Sequence, residues 1–377
     1  MIRVQSRPWR TAAAVVAALG LFGTACGSSG GVSAKGAVKE STTTSTTPKG
    51  PDSTAATLRS KLAGLFGEHV YLASAATGAA LGGRADEFAA ASAALDGNSN
   101  ALTDNFTAIF DATTGKTFDG LWKKHVGLFV AYAQGLAAHD GGKSAQAVSD
   151  LNTYAKDFGT FINSVLPSLP ADSVTGLVST HIQTLKAVVD AQAGSDENAV
   201  FTAERAAVAH MATVAAGLAG AIAKKNPDKI SGDPASKAAD FVAKLNDALR
   251  EHVFLAASAT EALLAGRTAE FNAASSAVGT VTGDLAGLLS SVYGPEAANT
   301  FTPLWKNHIG LIVDYATAAG AKDQAKADAA VDKLLAWTAD FGDFVSKASP
   351  KLTADSVGEL AKTYVLTLKD LIDAQVA

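Results

Sequence analysis

Cysteine, proline and charge are all scarce in this chain of 377 residues. The one cysteine, Cys26, cannot form an internal disulfide, so the fold must hold without one. Only 18% of residues are charged and the net charge is −5, which gives no electrostatic reason to expect nucleic acid as a partner. Alanine and glycine are common and 48% of residues are hydrophobic, a composition that predicts closely packed helices.

Sequence motifs of common catalytic sites are also missing. The chain contains no CxxC, no HExxH and no phosphate-binding GxxxxGK[ST]. Its paired carboxylates, such as Asp86-Glu87, lie near turns, where acidic residues stabilise helix N-termini. We therefore expect a protein that is not an enzyme.

The N-terminus has the organisation of an export signal. A short apolar core over residues 11–22 is too short to span a bilayer permanently. It is preceded by Arg3, Arg7 and Arg10 and followed by Gly23-Thr24-Ala25-Cys26. This arrangement resembles the bacterial lipoprotein signal, in which the cysteine becomes the lipid-modified first residue, although Gly23 stands where leucine is typical. The resemblance implies a chain anchored at the extracytoplasmic face of the cell membrane through Cys26, with the lipid bilayer as partner. Plain secretion is the alternative.

The rest of the chain divides by composition. The region after Cys26 is rich in Gly, Ser, Thr and Lys and cannot bury a core. A charged stretch with two prolines later separates two apolar halves. The predicted organisation is a signal peptide (1–26), a disordered tether (27–52), a first helical bundle (53–226), a linker (227–234) and a second bundle (235–377).

The two halves repeat one another. Residues 58–194 and 241–377 align at a fixed offset of 183 with no gap. The segment LWKKHVGL at 121–128 returns as LWKNHIGL at 304–311. Other matches include Glu68-His69-Val70 with Glu251-His252-Val253, Asp157-Phe158-Gly159 with Asp340-Phe341-Gly342, and Asp190-Ala191-Gln192 with Asp373-Ala374-Gln375. This agreement in one register indicates a duplication.

A shorter period lies within each half. Histidine, or once tyrosine, recurs every 56 residues, which indicates a repeated supersecondary unit. Apolar residues around each position follow the 3–4 spacing of a buried helical face. Turns are predicted at Gly82-Gly83, Asp140-Gly141-Gly142 and Gly194-Ser195-Asp196. A helix start is predicted at Asp172 or Ser173, and at Asp355 or Ser356 in the second half. We expect an all-α protein of about eleven helices in two tandem up-and-down bundles. The recurring residues are His69, His125, His181, His252, His308 and Tyr364.

Four histidines of the first bundle are candidate metal ligands. His69, His125 and His181 occupy the repeated position, and His210 follows His181 by 29 residues in the next helix. Neutral imidazoles projecting into a bundle core suit copper, zinc, iron or nickel, and a bis-histidine haem is a variant. Buried histidines also serve purely structural roles by bonding to each other or to tyrosine. Both interpretations stay open, and the second bundle, with fewer histidines, is expected to be structural.

Three neighbouring residues have structural interpretations. Trp122 and Trp305 each follow a core leucine and are expected to pack in the interior. Glu68 lies about 100° round the helix from His69, which favours a supporting or solvated carboxylate over a ligand.

The histidine motifs resemble a helical repeat of secreted Gram-positive bacterial proteins. They comprise Glu68-His69-Val70, Trp122 with His125 and Tyr132, then His181, then Ala209-His210-Met211. Some of those proteins are described as copper amine oxidase-like, so the resemblance implies an association with copper. The catalytic domain of true copper amine oxidases is absent from this sequence, and their activity is not implied.

These observations predict an exported, lipid-anchored binding protein that holds a transition metal, copper by resemblance, through histidines of the first bundle. The alternative is a structural or protein-interaction module of the cell envelope. An oxidoreductase that uses the bound metal is a third interpretation.

Overall fold

A computed structural model describes residues 53–377, and the predicted signal, Cys26 and tether lie outside this range. The described chain is all α-helical, with eleven helices and no strand, which confirms the predicted fold class. The helices are α1 (Thr54–Leu81), α2 (Ala85–Ile109), α3 (Ala112–Ala137), α4 (Gly141–Val165), α5 (Ala171–Ala193), α6 (Glu197–Lys225), α7 (Lys237–Leu264), α8 (Thr268–Tyr293), α9 (Pro295–Gly320), α10 (Gln324–Ala348) and α11 (Ala354–Val376).

The first bundle, α1–α6, is a closed ring with a layered interior. Each helix packs against the next one in the chain, and α6 closes the ring by packing against α1. The odd-numbered helices α1, α3 and α5 also contact one another. They therefore form an inner layer, with α2, α4 and α6 outside, and the inner helices carry the repeated histidines.

The second bundle, α7–α11, has the same inner layer, made by α7, α9 and α11. It packs against the first bundle through α1 with α7 and through α6 with α8. Tyr71 stacks on Phe254 across this contact, with ring centroids 4.6 Å apart. Arg59 of α1 pairs with Asp240 of α7 at 2.6 Å, so apolar and ionic contacts join the two bundles.

Three predicted boundaries need correction. The α5 helix begins after Pro170, before the expected Asp172 or Ser173, because proline fixes a φ suited to helix entry. In the copy, α11 begins after Thr353, whose side chain accepts a hydrogen bond from the Ser356 backbone N–H. Asp140 caps α4, so the following glycines form the first helical turn and are not part of the connecting turn.

A glycine in each bundle permits two helices to approach closely. A Cβ on Gly159 of α4 would lie 2.7 Å from the Ala171 carbonyl oxygen. A Cβ on the matched Gly342 would lie 2.4 Å from the Ala354 carbonyl oxygen. The repeated Asp-Phe-Gly motif therefore sets the packing distance between the fourth and fifth helix of each bundle.

By length and composition, α6 alone among the described helices could cross a membrane. It packs between α1 and α5, with Ala207, Ala215 and Ile222 fully buried. Glu204 and Arg205 also lie in this helix. In this fold α6 therefore serves as a wall of the first bundle.

Candidate metal centre

Three histidines meet at the centre of the first bundle. His69, His125 and His181 come from α1, α3 and α5, and they are only 1%, 1% and 5% exposed. One nitrogen from each ring can be chosen so that all three lie within 4.8 Å of one another. The 56-residue period thus brings one imidazole from each inner helix to the same depth.

The spacing of one nitrogen pair in the cluster is compatible with a shared metal ion. The Nε2 atoms of His69 and His125 lie 3.3 Å apart. Two nitrogens that bind one ion at about 2.0–2.1 Å lie about 3.3–3.6 Å from each other in tetrahedral or trigonal coordination. A hydrogen bond between the two rings has a similar length, so this pair alone does not distinguish ligand from structural histidine.

His181 distinguishes the two interpretations better. Neither of its ring nitrogens has a hydrogen-bond partner among the described residues, although both are buried. The Nδ1 atoms of His69 and His125 are also without a partner. An unpaired buried polar group costs roughly 1–3 kcal/mol, and a bound ion would remove that cost for one of the two His181 nitrogens.

Aromatic rings surround the cluster. Tyr154 stacks on His125 with centroids 5.1 Å apart, and Trp122 lies 4.8 Å from His69. Phe129 lies edge-on to His181 at 6.3 Å. The group of potential ligands contains only imidazoles and no carboxylate, so the donor set is neutral.

The histidines are held uncharged by their surroundings. Burial, with the neighbouring His181, lowers the pKa of His125 to about 3. Burial, with His210 nearby, lowers the pKa of His181 to about 4, and burial holds the pKa of His69 well below its usual value. Neutral imidazole is the form that binds metal, so no proton must leave at neutral pH.

His210 lies outside this cluster. It belongs to α6, an outer helix, and its Nε2 lies 2.9 Å from the Leu177 carbonyl oxygen of α5. The 29-residue step to the second helix of a hairpin leads from the inner layer to the outer one. Three of the four predicted ligands are therefore brought together, and His210 is not among them.

The second bundle has a different centre at the matched positions. The Nε2 atoms of His252 and His308 are again 3.3 Å apart. Tyr364 takes the place of His181, and its hydroxyl lies 3.1 Å from His252 Nε2. Trp337 stacks on His308 at 4.5 Å, as Tyr154 does on His125. The three groups form a hydrogen-bonded chain with His252 in the middle.

Comparison with known proteins assigns no family to this chain. Comparisons with protein-family models, curated proteins and solved structures found no match. The functional argument therefore rests on the geometry of this chain.

Several repeated residues turn out to support the scaffold. The Tyr132 hydroxyl donates to Asp190, which also pairs with Lys186 at 2.5 Å. Gln192 accepts from Thr77 and donates to the Ser74 carbonyl oxygen. The repeated Asp-Ala-Gln motif thus connects the C-terminal end of α5 to α3 and α1 through hydrogen bonds.

Sequence reasoning missed the part played by Glu68. Its carboxylate accepts a hydrogen bond from Asn98 Nδ2 at 2.9 Å and faces a groove between the bundles, away from the His69 ring. The helical offset from His69 made Glu68 a poorer ligand candidate, but only the packing of the bundles reveals the surface that it faces.

Proposed function

We propose that the protein binds one monovalent copper ion through His69, His125 and His181 as an exported, lipid-anchored binding protein. The supporting observation is His181, a buried imidazole with two unpaired nitrogens next to two other imidazoles. A purely structural role accounts for the His69–His125 contact and leaves His181 without an explanation.

Charge favours Cu(I) over a divalent ion. Imidazole binds copper, zinc, iron and nickel, so the ligand type alone does not choose between them. The Born cost of burying an ion grows with the square of its charge, so a monovalent ion costs about a quarter of a divalent one. This cluster offers no carboxylate to offset the charge. The contact between His69 and His125 nitrogens also leaves no room for a porphyrin between those rings.

Burial favours binding over catalysis. The three histidines are nearly inaccessible, and aromatic rings pack around them. A substrate would need an open coordination position with access from outside, which catalytic metal sites keep. We therefore assign the centre to copper binding and assign no reaction to it.

The proposed location rests on the N-terminal sequence. Residues 3–26 combine arginines, a short apolar core and Cys26 after small residues. Lipidation at Cys26 would hold the bundles at the extracytoplasmic face of the membrane, beyond the tether. Cys26→Ala should move the protein from the membrane to the soluble fraction, and unchanged partitioning would count against the anchor.

Copper binding is tested by anaerobic titration with Cu(I) against a colorimetric chelator. The protein should take up one equivalent, and His181→Ala should weaken binding by about 100-fold or more, since loss of supporting residues alone costs 10–100-fold. His210→Ala is the matched control, because that histidine lies near the site but outside the cluster. Equal copper binding by the native protein and His181→Ala would refute the proposal. Thermal unfolding of each variant checks that it remains folded.

A further inference from the structure

A groove lies between the two bundles. Its walls come chiefly from α1 and α2 of the first bundle and from α7 of the second, and the first two turns of α6 and the last turn of α11 also line it. The cavity measures about 1770 Å³, larger than the roughly 300–1,000 Å³ of pockets for small molecules. Its size suits a segment of polypeptide.

Beside α1 and α8 the corresponding place is filled by α6. This helix packs against α1 and α5 of its own bundle and against α8 of the other. Phe201 of α6 packs in the core cluster of the second bundle, and Arg205 pairs with Asp284 at 2.6 Å. Within residues 53–377, no helix takes the equivalent place beside α11, α7 and α2.

Side-chain exposure reflects this asymmetry. Ala273 and Ala277 of α8 belong to the cluster that includes Phe201 and are only 4% and 6% exposed. The matched Ala90 and Ala94 of α2 line the groove and are only half-buried. The face of α2 therefore presents small residues at positions that a helix covers in α8.

The charged side chains also differ between the groove and the place that α6 fills. Glu251 lies 3.4 Å from Arg205 of α6, whereas the matched Glu68 faces the groove. Arg250 lies near Glu68 but forms its ion pair with Asp247 at 3.1 Å. Acidic side chains outnumber arginines along the walls, so a cationic occupant fits best.

We propose that this groove binds a helix of another polypeptide, one with small residues on its inner face and an arginine opposite Glu68. The helix would lie against α2 and α7 as α6 lies against α8 and α1. Small side chains permit the close approach, and the arginine pairs with Glu68 as Arg205 pairs with Glu251.

The probe is a fluorescein-labelled peptide with the sequence of α6, Glu197–Lys225, added to the intact protein. Fluorescence anisotropy should show saturable binding of one peptide per chain. A peptide carrying Arg205→Glu should bind about tenfold more weakly or worse, because it loses one partner of a desolvated ion pair. Absence of saturable binding would overturn the proposal.

A pair of protein variants locates the binding. Ala93 is exposed and lines the groove, so Ala93→Arg should block the peptide without disturbing the core. Ser276→Arg changes the matched, exposed position of α8 outside the groove and should leave binding unchanged. Binding that survives Ala93→Arg would place the peptide elsewhere. A dimer of the protein that Ala93→Arg dissociates would instead assign the groove to a second copy. Either result contradicts a groove for a different polypeptide.

Discussion

The two bundles present the same histidine pair and differ at the third position. In the first bundle that position is His181, whose ring nitrogens have no partner among the described residues. In the second bundle it is Tyr364, whose hydroxyl reaches His252. A hydroxyl can both donate and accept, so Tyr364 gives His252 Nε2 a hydrogen-bond partner that His181 does not give its neighbours, although Nδ1 of His252 and of His308 is without a partner among the described residues. The third residue therefore separates a candidate binding site from a structural core.

The surrounding scaffold hardly differs between the bundles. Tyr315 bonds to Asp373 as Tyr132 bonds to Asp190. Trp122 and Trp305 are each 4% exposed and pack against the histidine pair of their own bundle. Repetition of a residue is thus compatible with a structural role, and repeated histidines alone do not identify a ligand.

The largest expected effect comes from exchanging the third residue. His181→Tyr should abolish the copper site of the first bundle, a loss of about 100-fold or more in affinity. Tyr364→His should create a second site and raise the copper stoichiometry from one to two in anaerobic titration. The double exchange should return the stoichiometry to one, now in the second bundle. A native protein that already binds two equivalents would break the comparison.

A second test concerns the glycine common to both bundles. Gly159→Ala should destabilise the protein by about 3 kcal/mol, the upper part of the range for overpacking, because its Cβ would meet backbone. Gly342→Ala should cost at least as much, since its nearest carbonyl oxygen is closer. Denaturant unfolding measures both. An unchanged free energy of unfolding for either alanine variant would mean that the two helices can move apart without cost. Gly176→Ala, a helical position with open space, is the control.

The pH dependence of stability tests the contact that α6 makes with the second bundle. Burial raises the pKa of Glu204 to about 7, and burial raises that of Glu251 to about 7 as well. Below pH 4.5 both carboxyls are protonated in the folded and the unfolded chain. As the pH rises towards 7 and beyond, the unfolded chain ionises first, and stability is lost.

Glu204→Gln should therefore stabilise the protein relative to the native sequence at pH 8 by on the order of 2 kcal/mol, and by much less at pH 4.5. Thermal unfolding at the two pH values measures the difference. The control is Glu359→Gln, a change at an exposed residue of α11, which should show no such pH dependence. An equal effect of Glu204→Gln at both pH values would contradict the raised pKa of Glu204.

The smallest expected effect on stability comes from removing a tyrosine hydroxyl, and it should be the same in both bundles. Tyr132→Phe and Tyr315→Phe each remove one hydrogen bond to an aspartate that also has a lysine partner. Each should cost about 0.5–1.5 kcal/mol, and neither should change copper binding. Unfolding curves and copper titration check the two parts. A copper defect in Tyr132→Phe alone would show that the scaffold of the first bundle is tuned for its site.

Much of the fold followed from local sequence patterns. Apolar spacing predicted the helices, and the 56-residue period predicted that His69, His125 and His181 occupy equivalent helices. Their convergence depends on α1, α3 and α5 forming the inner layer, which the period suggested. Helix starts such as Pro170 were missed because Asp172 offered a better side-chain cap than the chain uses.

The remaining features depended on how helices pack. His210 fits the histidine pattern by spacing, but its helix belongs to the outer layer, which one-dimensional periodicity does not distinguish. The groove depends on the contact between bundles, including Tyr71 with Phe254, and no local pattern marks that contact. Exposure at Ala90 and Ala94 has meaning only beside the covered Ala273 and Ala277.

The central claim is that three imidazoles of the first bundle hold one copper ion. X-ray absorption at the copper edge of protein loaded with one equivalent of Cu(I) tests it most directly. The account predicts three nitrogen ligands at about 2.0 Å, with the pattern of outer-shell scattering that imidazole rings give. Loss of one of these ligands in His181→Tyr would identify the third ring. A spectrum dominated by sulfur or by solvent oxygen, or one unchanged in His181→Tyr, would contradict the claim.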